Sequence, residues 1–380
     1  MNNTKDPLAE LAQLRDQSVS YDADKHDHGM QAQTMNFNKQ GQLELPVERF
    51  GQLPPVDLTD HAKRQLYAKL GPGHFQSGNK TLPFDYLEAH SPNVRAILLN
   101  GHCKASVVAE RNWMVRCYQN QGRAVLHGDY PTIPNTQLLD SVLESINGKP
   151  PEGMQVYRPY LDPDRVILRV LWKNTGRPDG GGGSYGIGSF LQNDEIGSGR
   201  YKVLPLIMQT SCTNSIVFRP MTSANNLTIG EDRNYDEETD TKGDFVGLSL
   251  IHRGNVARMT LLVKEAIGQS LNAGAEYLDK MIAAETRRLP DFADVLDKLT
   301  DKYHWSEDVK TSVAIGTRGQ ETLAGLISGV TYAAQGLDSP VDQADMETLG
   351  GTILMTADSL FGRVAQGYDY ANRTIGGHIA

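Results

Sequence analysis

The sequence predicts an α+β protein: an antiparallel β-sheet core with a helical C-terminal half packed on it. Three observations carry this. Short β-like runs follow one another from Val94 to Phe218, the apolar period turns helical after Gly254, and the alternating strand–helix units of a parallel sheet are missing. The chain has 380 residues, of which 39% are hydrophobic, an ordinary globular composition with room for roughly two domains.

Residues 1–55 are rich in Asn, Gln, Asp and His and show little periodicity, which predicts a loosely ordered N-terminal arm ending near Pro54 and Pro55. A β-rich mixed domain is expected over 56–255 and a helical region packed on the sheet over 256–380. The first helix signal is Thr59 as N-cap before DHAKRQLYAKL, stopped by Gly71, Pro72 and Gly73. A short helix fits Phe84–His90. RAILLN, ASVVAE, WMVRCY and RAVLHG read as strands. QLLDSVLESI places Leu138, Leu139, Val142 and Ile146 at helical spacing.

VYRPYL, the turn DPDR and VILRVLWK form a hairpin, with Pro163 suited to the second turn position. SFLQND and YKVLPLIMQTSCTNSIVF continue the sheet. VARMTLLVKEAIGQSL, FADVLDKLTDKY, ETLAGLISGVTYAAQ and DMETLGGTILMTADSLFGRV are amphipathic helices.

Several motifs fail on context. Gly181, Gly183 and Gly186 match a dinucleotide fingerprint, but a strand follows them where a helix N-terminus is needed. The run 231–244 holds seven acids and two bases; its Asp232, Asn234 and Asp236 begin like a calcium loop, yet Glu237 and Gly243 occupy the positions that need glycine and glutamate. It reads as an exposed acidic loop. His26 and His28, beside Asp24 and Asp27, lack a second ligand pair and read as polar side chains facing solvent. Cys103, Cys117 and Cys212 are odd in number without CxxC spacing, which fits a reducing compartment and excludes a structural zinc site. Cys212, with His252 as an imaginable base, reads as a buried small hydrophobe in a strand. No catalytic constellation emerges, and no cofactor or metal is expected.

The hairpin says more. A two-residue loop would set Arg158 opposite Arg169 and Tyr160 opposite Ile167, with Arg165 and Lys173 on the same face. Val166, Leu168, Val170 and Trp172 make the core face. Like charges directly opposite cost a ladder up to about 1 kcal/mol, so something anionic is expected over the arginines. Residues 156–177 carry five bases to two acids, and 95–128 five to one, interleaved with Trp113, Tyr118, Tyr157 and Tyr160. Cations for phosphate and rings for bases suit single-stranded nucleic acid. The alternative is that acids on a neighbouring strand or helix neutralise the arginines.

RAVLHGDYPTIPNTQLLDSVLESI and SFLQNDEIGSGRYKVLPLIMQTSCTNSIVF resemble stretches of the domain of unknown function 932 family of phages and plasmids. Asn193, Glu195, Gly197, Gly199, Cys212 and Asn214 fall on that family's motif, and GLSLIHRGNVARM is similar to its following element through His252, Arg253, Gly254 and Asn255. Ser215 and Thr210 stand where the family more often has glycine and arginine. The resemblance spans roughly 90–350 and implies an accessory gene of a mobile element, a setting that commonly needs single-strand binding or annealing proteins.

The expectation is therefore a mobile-element DNA-metabolism protein that binds or anneals single-stranded DNA as a homo-oligomer, with Arg158, Arg165, Arg169 and Lys173 on phosphate and Tyr160 or Tyr157 stacking. Two alternatives compete. One is a non-enzymatic phage interaction protein that binds or inhibits a host DNA-processing factor, its net charge of −9 mimicking nucleic acid. The other is a metal-dependent nuclease or hydrolase. No apolar run is long enough to cross a bilayer and the N-terminus lacks a signal-peptide core, so a cytoplasmic protein is expected, in the host if phage-encoded, with no membrane partner.

Overall fold

The computed structural model describes residues 6–48, 51–70, 84–105, 108–128, 130, 133–146, 150–175, 185–197, 201–209, 214–218, 228–229, 256–289 and 291–361. It is an α+β fold, as the sequence predicts.

The N-terminal segment is built into the molecule. Helix α1 (Pro7–Asp22) starts with Pro7 in its first turn, and the Asp6 carboxylate accepts the Leu8 N–H at 3.0 Å. Its Leu11 is fully buried with Leu138, Val142 and Met154. Strand β1 (Lys25–Gln31) follows, then a 3₁₀ turn over 32–34 and the two-residue strands β2 (Asn36–Phe37), β3 (Leu43–Glu44), β4 (Val47–Glu48), β5 (Gly51–Gln52) and β6 (Asp57–Leu58). The expected loose arm is thus corrected over its described part. Composition hid it, because the apolar residues that anchor it (Leu11, Met30, Met35, Phe37, Leu43) are widely spaced along a polar stretch yet buried.

Helix α2 (Asp60–Leu70) and the short α3 (Phe84–Glu88) lie where the sequence places them. RAILLN is corrected: it belongs to helix α4 (Pro92–Cys103), whose Ser91–Pro92 start and buried Ala96, Leu99 and Cys103 have helical spacing. ASVVAE forms no strand over its described residues. Strands β7 (Asn112–Tyr118) and β8 (Gln121–His127) match WMVRCY and RAVLHG, and β1 pairs antiparallel with β7, giving the order β1-β7-β8-β6.

Helix α5 (Asn135–Ile146) leads into the main sheet, β9 (Gln155–Leu161), β10 (Arg165–Thr175), β11 (Tyr185–Asp194), β12 (Tyr201–Gln209) and β13 (Asn214–Val217), an antiparallel meander in which β14 (Thr228–Ile229) also pairs with β12. Val166, Leu168, Val170 and Trp172 form the expected core face, buried with Leu138, Val263 and Ile267. They are covered by α5 and by α6 (Val256–Thr286), a 31-residue helix.

Helices α7 (Phe292–Tyr303), α8 (Glu307–Gly316), α9 (Leu323–Gln335) and α10 (Pro340–Phe361) complete the chain. Ser306 and Thr322 cap α8 and α9 through Val309 N–H at 3.3 Å and Gly325 N–H at 3.1 Å. These helices bury Leu326, Ile327, Val330, Met346 and Ile353 against Ile207 and Ile216 of the sheet and Phe218 just after β13. Among the described residues no helix is long and apolar enough to cross a membrane.

Candidate functional site

The hairpin keeps the expected register at its turn end, with Leu161 opposite Val166 and Tyr160 opposite Ile167. Beyond it a bulge intervenes, and Arg169 pairs with Tyr157 where Arg158 was expected. Arg158 is the bulged residue, held at φ +40°. The extra residue removes the like-charge pair that the simple register required.

The arginines are neutralised from within. Arg165 on β10 reaches the fully buried Asp194 on β11 through Nε at 2.7 Å. Arg169, 2% exposed, places Nε 3.0 and 2.8 Å from the two carboxylate oxygens of Glu347 on α10. Ser215 Oγ donates to the same Glu347 at 2.6 Å, so this serine has a buried partner. Arg169 Nη2 is buried without a partner. The face expected to lie open to an anion is therefore closed over Arg169 by the last described helix. Lys173 lies on β10, with its side chain outside the described set.

Arg158 is exposed and donates through Nη2 to Gln335 Oε1 at 2.9 Å. Gln335 donates to Asn214 Oδ1, and Asn214 donates to the Ser328 carbonyl at 3.3 Å. Tyr157 and Tyr160 are half-buried against the cluster of Ile167, Leu171 and Phe190. Burial and the Asp162 carboxylate, which accepts the Tyr160 hydroxyl, push that phenol up to about 12.

The motif residues Asn193, Glu195 and Gly197 gather a second, denser constellation where β11 meets the N-terminal sheet. Asn193 Nδ2 donates to the Ile133 carbonyl at 2.8 Å and to Asn135 Oδ1 at 2.9 Å. Glu195 Oε1 accepts Lys25 Nζ and the Asn135 N–H, each at 2.7 Å. Lys25 also reaches Asp22 at 2.6 Å. Arg116 grips Asp27 with two bonds of 2.9 Å and donates to the Glu195 carbonyl, while Gln65 donates to the Ile196 carbonyl at 2.8 Å. Gly197 turns the chain at φ +71°.

Burial raises the Glu195 carboxyl above its ordinary range, against the opposing pull of Lys25, the Asn135 N–H and Arg116. Arg123 pairs with Asp164, but its buried Nε and Nη2 have no partner, and burial lowers its pKa. The constellation is a polar junction that ties α1, β1, β7, α2, α5 and β11 together. Sequence reasoning missed Lys25, Arg116, Arg123, Asn135 and Glu347. An arginine within the apolar run WMVRCY and another opening RAVLHG were the readable signs of two buried charges.

Burial pushes the Cys103 and Cys117 thiols up to about 12, which leaves neither as a thiolate at neutral pH. His28 is buried on β1, which corrects the expectation that it faces solvent, while His26 is exposed. Among the described residues no group of three His, Cys, Asp or Glu is placed to hold a metal ion. Gly199, Cys212, His252, Arg253, Gly254, Asn255, the loop 231–244 and Gly181 and Gly183 lie outside the described residues, whereas Gly186 lies on β11.

Comparison of the chain with protein-family models, with curated proteins and with solved structures finds no match.

Proposed function

We propose that this chain is a mobile-element DNA-metabolism protein that binds or anneals single-stranded DNA as a homo-oligomer without a cofactor. The observation that carries the reading is the outer strand β9, where the bulge holds Arg158 out to solvent between the half-buried Tyr157 and Tyr160. A phosphate on Arg158 and a base on a tyrosine ring is the pairing that sequence-tolerant single-strand binding uses. Arg165 and Arg169 support this edge from inside and are not phosphate contacts in this reading.

Two further points support it. The motif around Asn193, Glu195 and Gly197 resembles the phage and plasmid family named above. A long helix laid over an antiparallel meander is also similar in outline to single-strand annealing proteins, an analogy of fold alone.

The test is fluorescence anisotropy of a labelled single-stranded oligonucleotide at two salt concentrations, with duplex of equal length beside it. Salt-sensitive binding that prefers the single strand is expected. Absence of binding at low salt overturns the proposal.

One observation favours a second reading, a non-enzymatic module that contacts a host protein. The ion pairs Arg165–Asp194 and Arg169–Glu347 consume two of the cations that DNA binding would use. A purified host DNA-processing protein bound with no DNA retained would select that reading.

A further inference from the structure

The two sheets end in edges of opposite character. The outer strand β9 carries Pro159, which has no N–H to offer, and the bulge at Arg158; both discourage another strand from pairing there. The outer strand β1 has neither. It runs seven residues in unbroken register with β7, from Lys25 opposite Tyr118 to Gln31 opposite Asn112.

Residues of an antiparallel strand alternate between those bonded to the neighbour and those whose backbone turns away. The Gln119 N–H donates to the Asp24 carbonyl and the Ala32 N–H to the Arg111 carbonyl, both at 2.9 Å. Even-numbered residues of β1 are therefore the bonded set. Lys25 and Gly29 turn N–H and carbonyl outward, and Gln31 turns its N–H outward; among the described residues no strand pairs along that side.

Charge does not guard this edge. The Lys25 ammonium is drawn back onto Asp22 and Glu195, and Asp27 is held by Arg116. A Cβ added at Gly29 would find no atom within 4 Å.

We propose that β1 is the pairing edge for a second copy of this chain, the two β1 strands lying antiparallel across a two-fold axis near His28 and joining both four-stranded sheets into one. An edge that pairs antiparallel with itself is self-complementary, as a two-fold interface requires. The register centred on His28 sets outward residues against outward residues, with Lys25 facing Gln31 of the second copy and Gly29 facing Asp27. The absent side chain at Gly29 leaves room for the carboxylate that Arg116 holds. Of the two neighbouring registers, Asp27 against Asp27 brings like charges together, and Gly29 against Gly29 sets Lys25 against Gln33, beyond the end of the strand. This inference rests on the homo-oligomer part of the proposed function and not on its DNA part.

Sedimentation velocity over a range of protein concentrations tests it, with amide hydrogen exchange on the same samples. The full-length protein is expected to dimerise, with exchange over 25–31 slowing as the dimer forms. Gly29→Pro removes an outward N–H that the β1–β7 ladder does not use, and is expected to weaken dimerisation at least tenfold while keeping the wild-type circular dichroism. A wild-type protein that stays monomeric overturns the proposal, as does a dimer whose 25–31 amides exchange as in the monomer. If Gly29→Pro fails to fold, the wild-type exchange result decides alone. Anisotropy with the single-stranded oligonucleotide keeps the two proposals apart: a protected dimer that binds no DNA overturns the function and leaves this edge standing.

Discussion

Arg169 and Glu347, 178 residues apart in the chain, form a buried ion pair that fastens α10 to β10. The guanidinium is satisfied at Nε by both carboxylate oxygens and at Nη1 by the Arg158 carbonyl at 3.4 Å, and is left unsatisfied at Nη2. A pair in this position holds one helix against one strand, and its removal has a sign that depends on how much of it is removed.

Glu347→Ala strands a charged guanidinium inside the protein. Breaking a buried pair from one side costs about 3–5 kcal/mol. Replacing both partners by apolar residues of similar size, Arg169→Met with Glu347→Leu, leaves no buried charge and is expected to recover most of that loss. Urea denaturation of the single and double variants measures both.

Glu195 supplies a pH dependence. Its carboxyl is raised in the folded protein, so between the ordinary carboxyl value and the folded value the native state binds the extra proton. Its contribution to stability is present at acid pH and is lost as pH rises through the folded value. Glu195→Gln removes that titration. The variant is expected to gain on wild type as pH rises from the acid range toward neutral, read as the difference between their melting temperatures across pH. A difference that moves the other way would show that Lys25 and Arg116 outweigh burial.

Gly197 turns at φ +71°, and a Cβ there would lie 2.8 Å from Leu126 Cδ2. The leucine tip can yield, but the left-handed backbone still costs an L-residue about 1–2 kcal/mol. Gly197→Ala is expected to lower stability by that amount in chemical denaturation.

Arg158→Ala is expected to weaken single-strand binding and to reduce the salt slope by about one ion, with circular dichroism unchanged because the side chain is exposed. Equal weakening across different oligonucleotide sequences would mark it as a phosphate contact, which anisotropy on several sequences reads directly.

Cys103 and Cys117 are buried, with thiols pushed to about 12. Iodoacetamide is expected to leave both unmodified in the native protein at pH 8 and to label both in denaturant, as read by peptide mass spectrometry.

The residues of this chain determined by themselves most of what depends on local pattern. The alternation of Val166, Leu168, Val170 and Trp172 named the buried face of β10. The DPDR turn marked the hairpin, and the helical spacing after Gly254 located the C-terminal helices. Period and turn chemistry are properties of neighbours in sequence, so they are legible there. The tertiary structure alone decided the rest. The bulge at Arg158 moved Arg169 to face Tyr157. Glu347 arrived from a helix far along the chain to neutralise the arginine, and Lys25, from a segment whose composition reads as loose, closed on Glu195. A buried charge is held by whichever opposite charge the fold brings within about 4 Å, and that distance is set by how strands and helices pack, not by the order of residues along the chain.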